Sequence, residues 1–276
     1  MTSIFSGCGN QYLPIFETGS QTQIDSLLSQ TSTMSESDIK FLMFFASFPS
    51  VNKVVFKTVA SAVLRWGDQY RKEQKAYWLE LRRNKKKFAQ EIEWAIMDNY
   101  ILDLMDARLT QEEANHLIGE RTPLHHAAWH KSLYANPRFP ELAVMRFLTC
   151  NYSLDSTKQC SDLGETAWHR ACMKADLQLF RTLASETRYG SLHIMDKMGD
   201  TPLHKLCGVY PCQTHSPEIA QFLLAHGVEK AAVANDGKTC TDILIEYLAK
   251  TPSPDGEALL RVMQEAKTLP GSAYHD

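Results

Sequence analysis

The sequence predicts an all-α fold: an N-terminal helical region followed by a solenoid of three to four irregular helix-pair units. Three observations predict it. The phrase Gly199-Asp200-Thr201-Pro202-Leu203-His204-Lys205-Leu206-Cys207 reads as a helix start, with a threonine able to cap, a proline at the first helical position and a glycine for the turn before it. The phrase returns, altered, as Arg121-Thr122-Pro123-Leu124-His125, Glu165-Thr166-Ala167-Trp168-His169 and Lys238-Thr239-Cys240-Thr241-Asp242, with threonines at 122, 166, 201 and 239. Recurrence at such a period marks a repeat architecture. Upstream, apolar residues between 36 and 118 recur at helical spacing, and no strand alternation is found there.

Composition bounds the rest. With 276 residues and 44% hydrophobic content, the chain allows one elongated or two compact domains with ample core. A net charge of -3 carries no global attraction to polyanions or membranes. Seven cysteines, an odd number without framework spacing, point to free thiols in a reducing compartment. The polar stretch from Met1 to Gln30 lacks the basic and apolar regions of a signal peptide. The apolar run Phe41 to Phe48 is too short for a bilayer, and Ala273-Tyr274-His275-Asp276 offers no prenylation cysteine. The expectation is a chain without a transmembrane segment, located in the cytoplasm or nucleus.

In chain order, residues 1–35 are a polar arm, either disordered or a packed strap, in which only Ile24 to Leu28 suggests a helical turn or two. Residues 36–118 read as a region of about five helices. Ser35 or Ser37 can cap a segment carrying Ile39, Phe41, Leu42, Phe44 and Phe45, and Ser50 or Asn52 the next, with Val54, Val55, Val59, Val63 and Trp66. Gly67-Asp68 reads as a break. A long helix with Tyr70, Tyr77, Trp78 and Leu81 follows, then Phe88, Ile92, Trp94, Ile96, Ile101, Leu102 and Leu104, and a capping box formed by Thr110 and Glu113.

Within that region Arg71, Lys72, Lys75, Arg82, Arg83, Lys85, Lys86 and Lys87 face only Glu73 and Glu80. Such a run can meet nucleic acid or an anionic membrane, or it can be the solvated face of a helix whose apolar side is Tyr77, Trp78, Leu81 and Phe88. The second reading is favoured, because no glycine loop or base-reading helix accompanies the run.

In the repeat half, Tyr134 to Pro140 and Tyr210 to Pro217 each contain two prolines and must be loops inserted between paired helices. The best unit joins Gly199-Asp200-Thr201-Pro202-Leu203-His204 to Glu218-Ile219-Ala220-Gln221-Phe222-Leu223-Leu224-Ala225-His226-Gly227 and then to Asn235-Asp236-Gly237. On these residues the chain resembles the ankyrin-repeat family over roughly 120–268. Units are placed near 121–160, 165–197, 200–235 and 238–268, the last a degenerate cap, with a tail at 269–276. Departures are Gly119 three residues before its threonine, Ala167-Trp168 in place of Pro-Leu, and Asp242 in place of the histidine. The resemblance implies L-shaped helix pairs stacked side by side, with turn tips and first helices lining a concave surface. The helical region 36–118 is expected to pack on the first unit in place of a conventional cap.

His204-x-x-Cys207-x-x-x-x-Cys212-x-x-His215 has ligand types that zinc can use. In the family, however, the motif histidine supports the turn and position 207 takes a small buried residue, so neither metal nor cofactor is assigned. Cys8, in Ser6-Gly7-Cys8-Gly9-Asn10, lacks a catalytic signature around it. The resemblance places Trp129, His130, Met173, Lys174, Val209 and Tyr210 at equivalent helix ends. With tips at Lys158-Gln159, Lys197-Met198 and Ala234-Asn235, they stand on or beside the concave face, so Trp129, His130, Met173, Lys174, Lys197, Met198, Val209 and Tyr210 are the candidate partner-binding residues. The expected function is recognition of another protein, as an adaptor or as an effector that an intracellular bacterium delivers into its host. An enzyme within residues 1–118, or a basic-patch binder of nucleic acid or anionic membrane, are the rival readings.

Overall fold

The structure, a computed structural model, describes residues 12–48, 50–97, 100–115, 121–129, 143–160, 162–186, 192–209 and 212–266. Among them β-type pairing is confined to isolated bridge residues, including the pair Val233 and Thr239. The expected all-α class holds. The chain packs as two bodies: the described residues up to 115 together with 143–154, and residues 121–129 together with 155–266.

The N-terminal body begins with the strap, one of the two alternatives for the arm. The polar arm contains two helices, α1 (Tyr12–Thr18) and α2 (Gln21–Ser29), the second started by a Ser20–Gln23 capping box. Phe16, Ile24 and Leu28 are buried, which makes this stretch a packed strap. Two aromatic groups tie the strap down: Trp66 Nε1 donates to Met34 O (3.2 Å) and the Tyr70 hydroxyl to Ser32 O (2.6 Å). Three apolar anchors sufficed to order a segment whose composition reads as polar.

Helix α3 (Glu36–Ala46) starts at the Ser35–Asp38 capping box and buries Ile39, Leu42, Met43 and Phe45. Helix α4 (Lys53–Tyr70), capped by Asn52, buries Phe56, Val59, Val63 and Trp66, while Val54 faces solvent. Gly67-Asp68 is not a break. A Cβ on Gly67 would stand 3.3 Å from the Asp106 carboxylate, so the glycine admits a close approach and the helix runs on to Tyr70. The apolar side expected on one long helix, from Tyr77 to Phe88, lies on two, α5 (Lys72–Arg82) and α6 (Lys85–Met97), separated at Arg83-Asn84. Asn84 restarts the chain by accepting the Lys87 N–H on its side chain (3.2 Å). Helices α7 (Ile101–Ala107) and α8 (Gln111–Asn115) follow, α8 with the expected Thr110–Glu113 box.

In the other body, α9 (Pro123–Trp129), α11 (Ala167–Lys174), α13 (Pro202–Cys207) and α15 (Cys240–Lys250) are the four inner helices, stacked in that order. Their outer partners are α12 (Leu177–Glu186), α14 (Ser216–Ala225) and α16 (Pro254–Glu265), and α14 packs on both α12 and α16.

The outer helix of the first unit, α10 (Ala143–Asn151), belongs by packing to the N-terminal body, against α4 and α7. The packing boundary therefore falls inside the first repeat rather than at residue 119. The cause is composition: every side chain from Ala143 to Cys150 is buried, Arg146 and Thr149 included. A helix without a solvent face needs cover all round. Arg146 is accommodated because its guanidinium donates to the carbonyls of Phe48 and Val51 and lies 5.1 Å over the Phe56 ring.

Candidate functional site: the turn tips of the repeat body

Each inner helix starts from the same device. Thr122, Thr166 and Thr201 pair with His125, His169 and His204 three residues on: the threonine N–H donates to Nδ1 at 3.3, 3.0 and 3.1 Å, and the hydroxyl lies 2.7, 2.9 and 2.9 Å from the same nitrogen. In the fourth unit Asp242 takes the histidine's place and accepts from the Thr239 N–H (2.9 Å). Because Nδ1 accepts, the proton of the neutral ring sits on Nε2. That nitrogen reaches the next unit, 2.9 Å from Glu165 O for His125 and 2.9 Å from Asp200 O for His169. Burial holds the His169 imidazole at a pKa of about 4 and depresses His125 in the same direction.

These bonds fix the turn ahead of each helix. Within the turns, Cys160, Asp196 and Ala234 donate to the carbonyls of Glu165, Asp200 and Lys238, at 2.8 to 2.9 Å. Gly164, Gly199 and Gly237 complete them with φ of 72°, 77° and 82°, the left-handed region that L side chains avoid. Successive tips are then laced together: Lys197 N donates to Leu163 O and Asn235 N to Met198 O, both at 2.9 Å. At Gly199 a Cβ would come within 2.8 Å of the Asn235 backbone nitrogen, so this tip needs glycine twice over.

Beneath the tips lies a buried charge network. Lys205 Nζ is 2.6 Å from Asp196, 2.9 Å from Asp200 and 3.5 Å from Glu165, and Glu165 also pairs with Arg170. Burial alone lowers the Lys205 pKa, but its hydrogen bonds to Asp196 and Asp200 outweigh that and raise it. The network joins the second and third units without depending on apolar contact.

Among exposed polar residues such as Lys158, Gln159, Lys197, Asn235 and Asp236, the laced tips also present large apolar side chains to solvent. Leu163, Met195, Met198 and Val233 are 44–57% exposed, in a body whose other large apolar side chains are mostly inside. Of the candidate residues, Lys197 and Met198 stand exposed on a tip, while Met173, Lys174 and Val209 are half-buried at the ends of α11 and α13. Trp129 closes α9; His130, Tyr210 and Cys8 lie outside the described residues, as do Gly119 and the inserted loop 134–140. Leu163, Met195 and Val233 escaped the sequence reading. The signal was there, since each lies within four residues ahead of a turn glycine, where loops are normally polar.

The basic run is half consumed by structure. Arg71 pairs with Glu36, Asp103 and Asp106, Lys75 with Asp68, Arg82 with Glu113 and Arg83 with Glu80. Lys72, Lys85, Lys86 and Lys87 are exposed on α5 and α6. Among the described residues no group of three or more His, Cys, Asp or Glu is disposed to hold a metal ion, and no helix is long and apolar enough to cross a membrane.

The geometry of tips, paired helices and Thr–His boxes is that of an ankyrin-repeat fold. The crystal structure of EF0377, an ankyrin repeat protein, superposes on 69% of this chain and 97% of its own with a TM-score of 0.50, at 16% sequence identity. Protein phosphatase 1 regulatory subunit 27 of Homo sapiens is 30% identical over 82 residues, 29% of this chain and 48% of the relative, and its Mus musculus counterpart matches to the same extent. The chain thus spans about half the length of these curated relatives. No protein-family model matches the chain.

Proposed function

We propose that the chain is a recognition module that binds another protein through the row of turn tips on its repeat body. The carrying observation is that the tips are rigidly laced by backbone hydrogen bonds and yet present Leu163, Met195, Met198 and Val233 to solvent. Exposed apolar side chains aligned on a rigid support are the ordinary makings of a protein interface. Similarity to a regulatory subunit, a protein named for acting on another, supports the same reading. Lys197, beside Met198, supplies a charged rim. A role as an adaptor, or as an effector acting in a host cell, is a finer form of the same proposal.

The test compares affinity capture by the wild-type chain with capture by the Leu163→Asp, Met198→Asp double variant, both first shown to melt alike. Loss of the same specific partners by the variant is expected. Retention of every partner would overturn the proposal.

A further inference from the structure

The N-terminal body carries an aromatic and acidic cleft that neither the repeats nor the basic run explains. It is a cavity of about 390 Å³ between α5, α6 and α7, lined by Gln74, Tyr77, Trp78, Glu91, Trp94, Ala95, Tyr100 and Asp103. The sequence reading assigned Tyr77 and Trp78 to one buried helix face. Only Trp78 is buried (4% exposed), and its ring meets Phe88 edge-on at 6.0 Å on one side and Tyr77 at 5.8 Å on the other. Tyr77, Trp94 and Tyr100 are 45–52% exposed, an unusual concentration of aromatic surface from α5, α6 and the cap of α7.

We propose that this cleft binds a weakly hydrated organic cation, an arginine or methylated lysine side chain presented by a partner protein. Three exposed aromatic rings, those of Tyr77, Trp94 and Tyr100, offer electron-rich faces, which attract a cation once it sheds its water. Guanidinium and methylated ammonium groups shed water at lower cost than a bare ammonium. The charge is complementary as well. The lining carries two carboxyl groups, Glu91 and Asp103, and among the described residues no Lys or Arg. Asp103 is shared with Arg71 (2.8 Å), which leaves Glu91 as the principal counter-charge. The Tyr77 phenol records this field: its pKa is raised first by desolvation and then by the charges of Glu91 and Asp103. A peptide is favoured over a free small cation because the rings of Tyr77, Trp94 and Tyr100 stay about half exposed, so the open cleft encloses a small ion poorly and a peptide adds contacts beside it.

The experiment titrates the full-length 15N-labelled chain with three short acetylated peptides, carrying trimethyllysine, arginine, or a neutral tert-butyl isostere of trimethyllysine, and separately with choline. The five tryptophan indole signals are followed by NMR. Saturable shifts of the Trp94 and Trp78 indoles with the trimethyllysine or arginine peptide are expected, with affinity reduced roughly three- to tenfold by Glu91→Gln and by Trp94→Ala. Trp94 is solvent-facing and Glu91 half-buried, and unchanged melting of the variants shows that folding is not what was lost. Equal binding of the neutral isostere would overturn the proposal by reducing the cleft to an apolar patch. Choline binding as tight as the peptides would overturn the assignment to a protein side chain, and no shift with any cationic probe would overturn it entirely.

Discussion

The Nε2 of His169 lies 2.9 Å from the carbonyl oxygen of Asp200, while its Nδ1 accepts the Thr166 N–H at 3.0 Å. One ring therefore caps its own helix and ties down the start of the next unit. His125 repeats the arrangement toward Glu165, but the buried Nε2 of His204 has no acceptor among the described residues. The relay stops where the fourth unit exchanges histidine for Asp242.

The relay should make the repeat body acid-sensitive. The folded state holds His169 neutral with a pKa of about 4, against an ordinary value of 6.5, so the unfolded chain takes up the proton first. Stability is then fully present above about pH 6.5 and declines as pH falls toward 4, by up to about 3 kcal/mol from this residue. His125, shifted the same way, adds to the slope. Chemical denaturation between pH 7 and 4 checks this, and His169→Gln should flatten the profile.

Loss of a motif histidine should cost different amounts in different units. His169→Ala removes a cap, an inter-unit hydrogen bond and buried volume, together about 2–4 kcal/mol. His204→Ala removes a cap and volume but no Nε2 bond, and should cost about 1 kcal/mol less. Urea midpoints of the two variants, measured at pH 7.5, give the comparison directly.

Arg146→Met is expected to destabilise the N-terminal body by about 2–4 kcal/mol, despite preserving length and apolar fit. The variant strands the carbonyls of Phe48 and Val51 in a buried setting and gives up the stacking on Phe56. A lowered melting temperature accompanied by loss of amide-exchange protection in α4 and α10 would locate the effect.

Lys205→Met should be more damaging than Asp200→Asn. The first leaves Asp196 and Glu165, whose side chains are essentially inaccessible, without their shared cation. The second removes only the most exposed carboxylate of the cluster. The expected difference is about 2 kcal/mol or more in unfolding free energy.

Much of the fold was legible because capping is local chemistry. A Thr followed three residues later by His or Asp, with glycine two residues before in the last three units, specifies the start of a helix and the turn ahead of it with no help from elsewhere in the chain. Hence the four inner helices, the Thr110–Glu113 box and the Asn52 cap could be read directly. The exposure of Lys197 and Met198 on a tip follows from the same register.

Residues with distant partners decided the rest. Gly67 looked like a helix breaker because its reason, the nearby Asp106 carboxylate, lies 39 positions further along. The arm before residue 36 read as polar because its order depends on Trp66 and Tyr70. The basic run looked like one charged surface until Asp68, Asp103, Asp106 and Glu113 took Arg71, Lys75 and Arg82 from it. The sequence by itself determined where helices begin, that the second half repeats and which residues form its turns, since those follow from short-range sterics and hydrogen bonding. Only the tertiary structure decided that α10 packs with the N-terminal body and that Tyr77, Trp94 and Tyr100 share a cleft. Burial and charge pairing join residues far apart in the chain, and no local pattern encodes them.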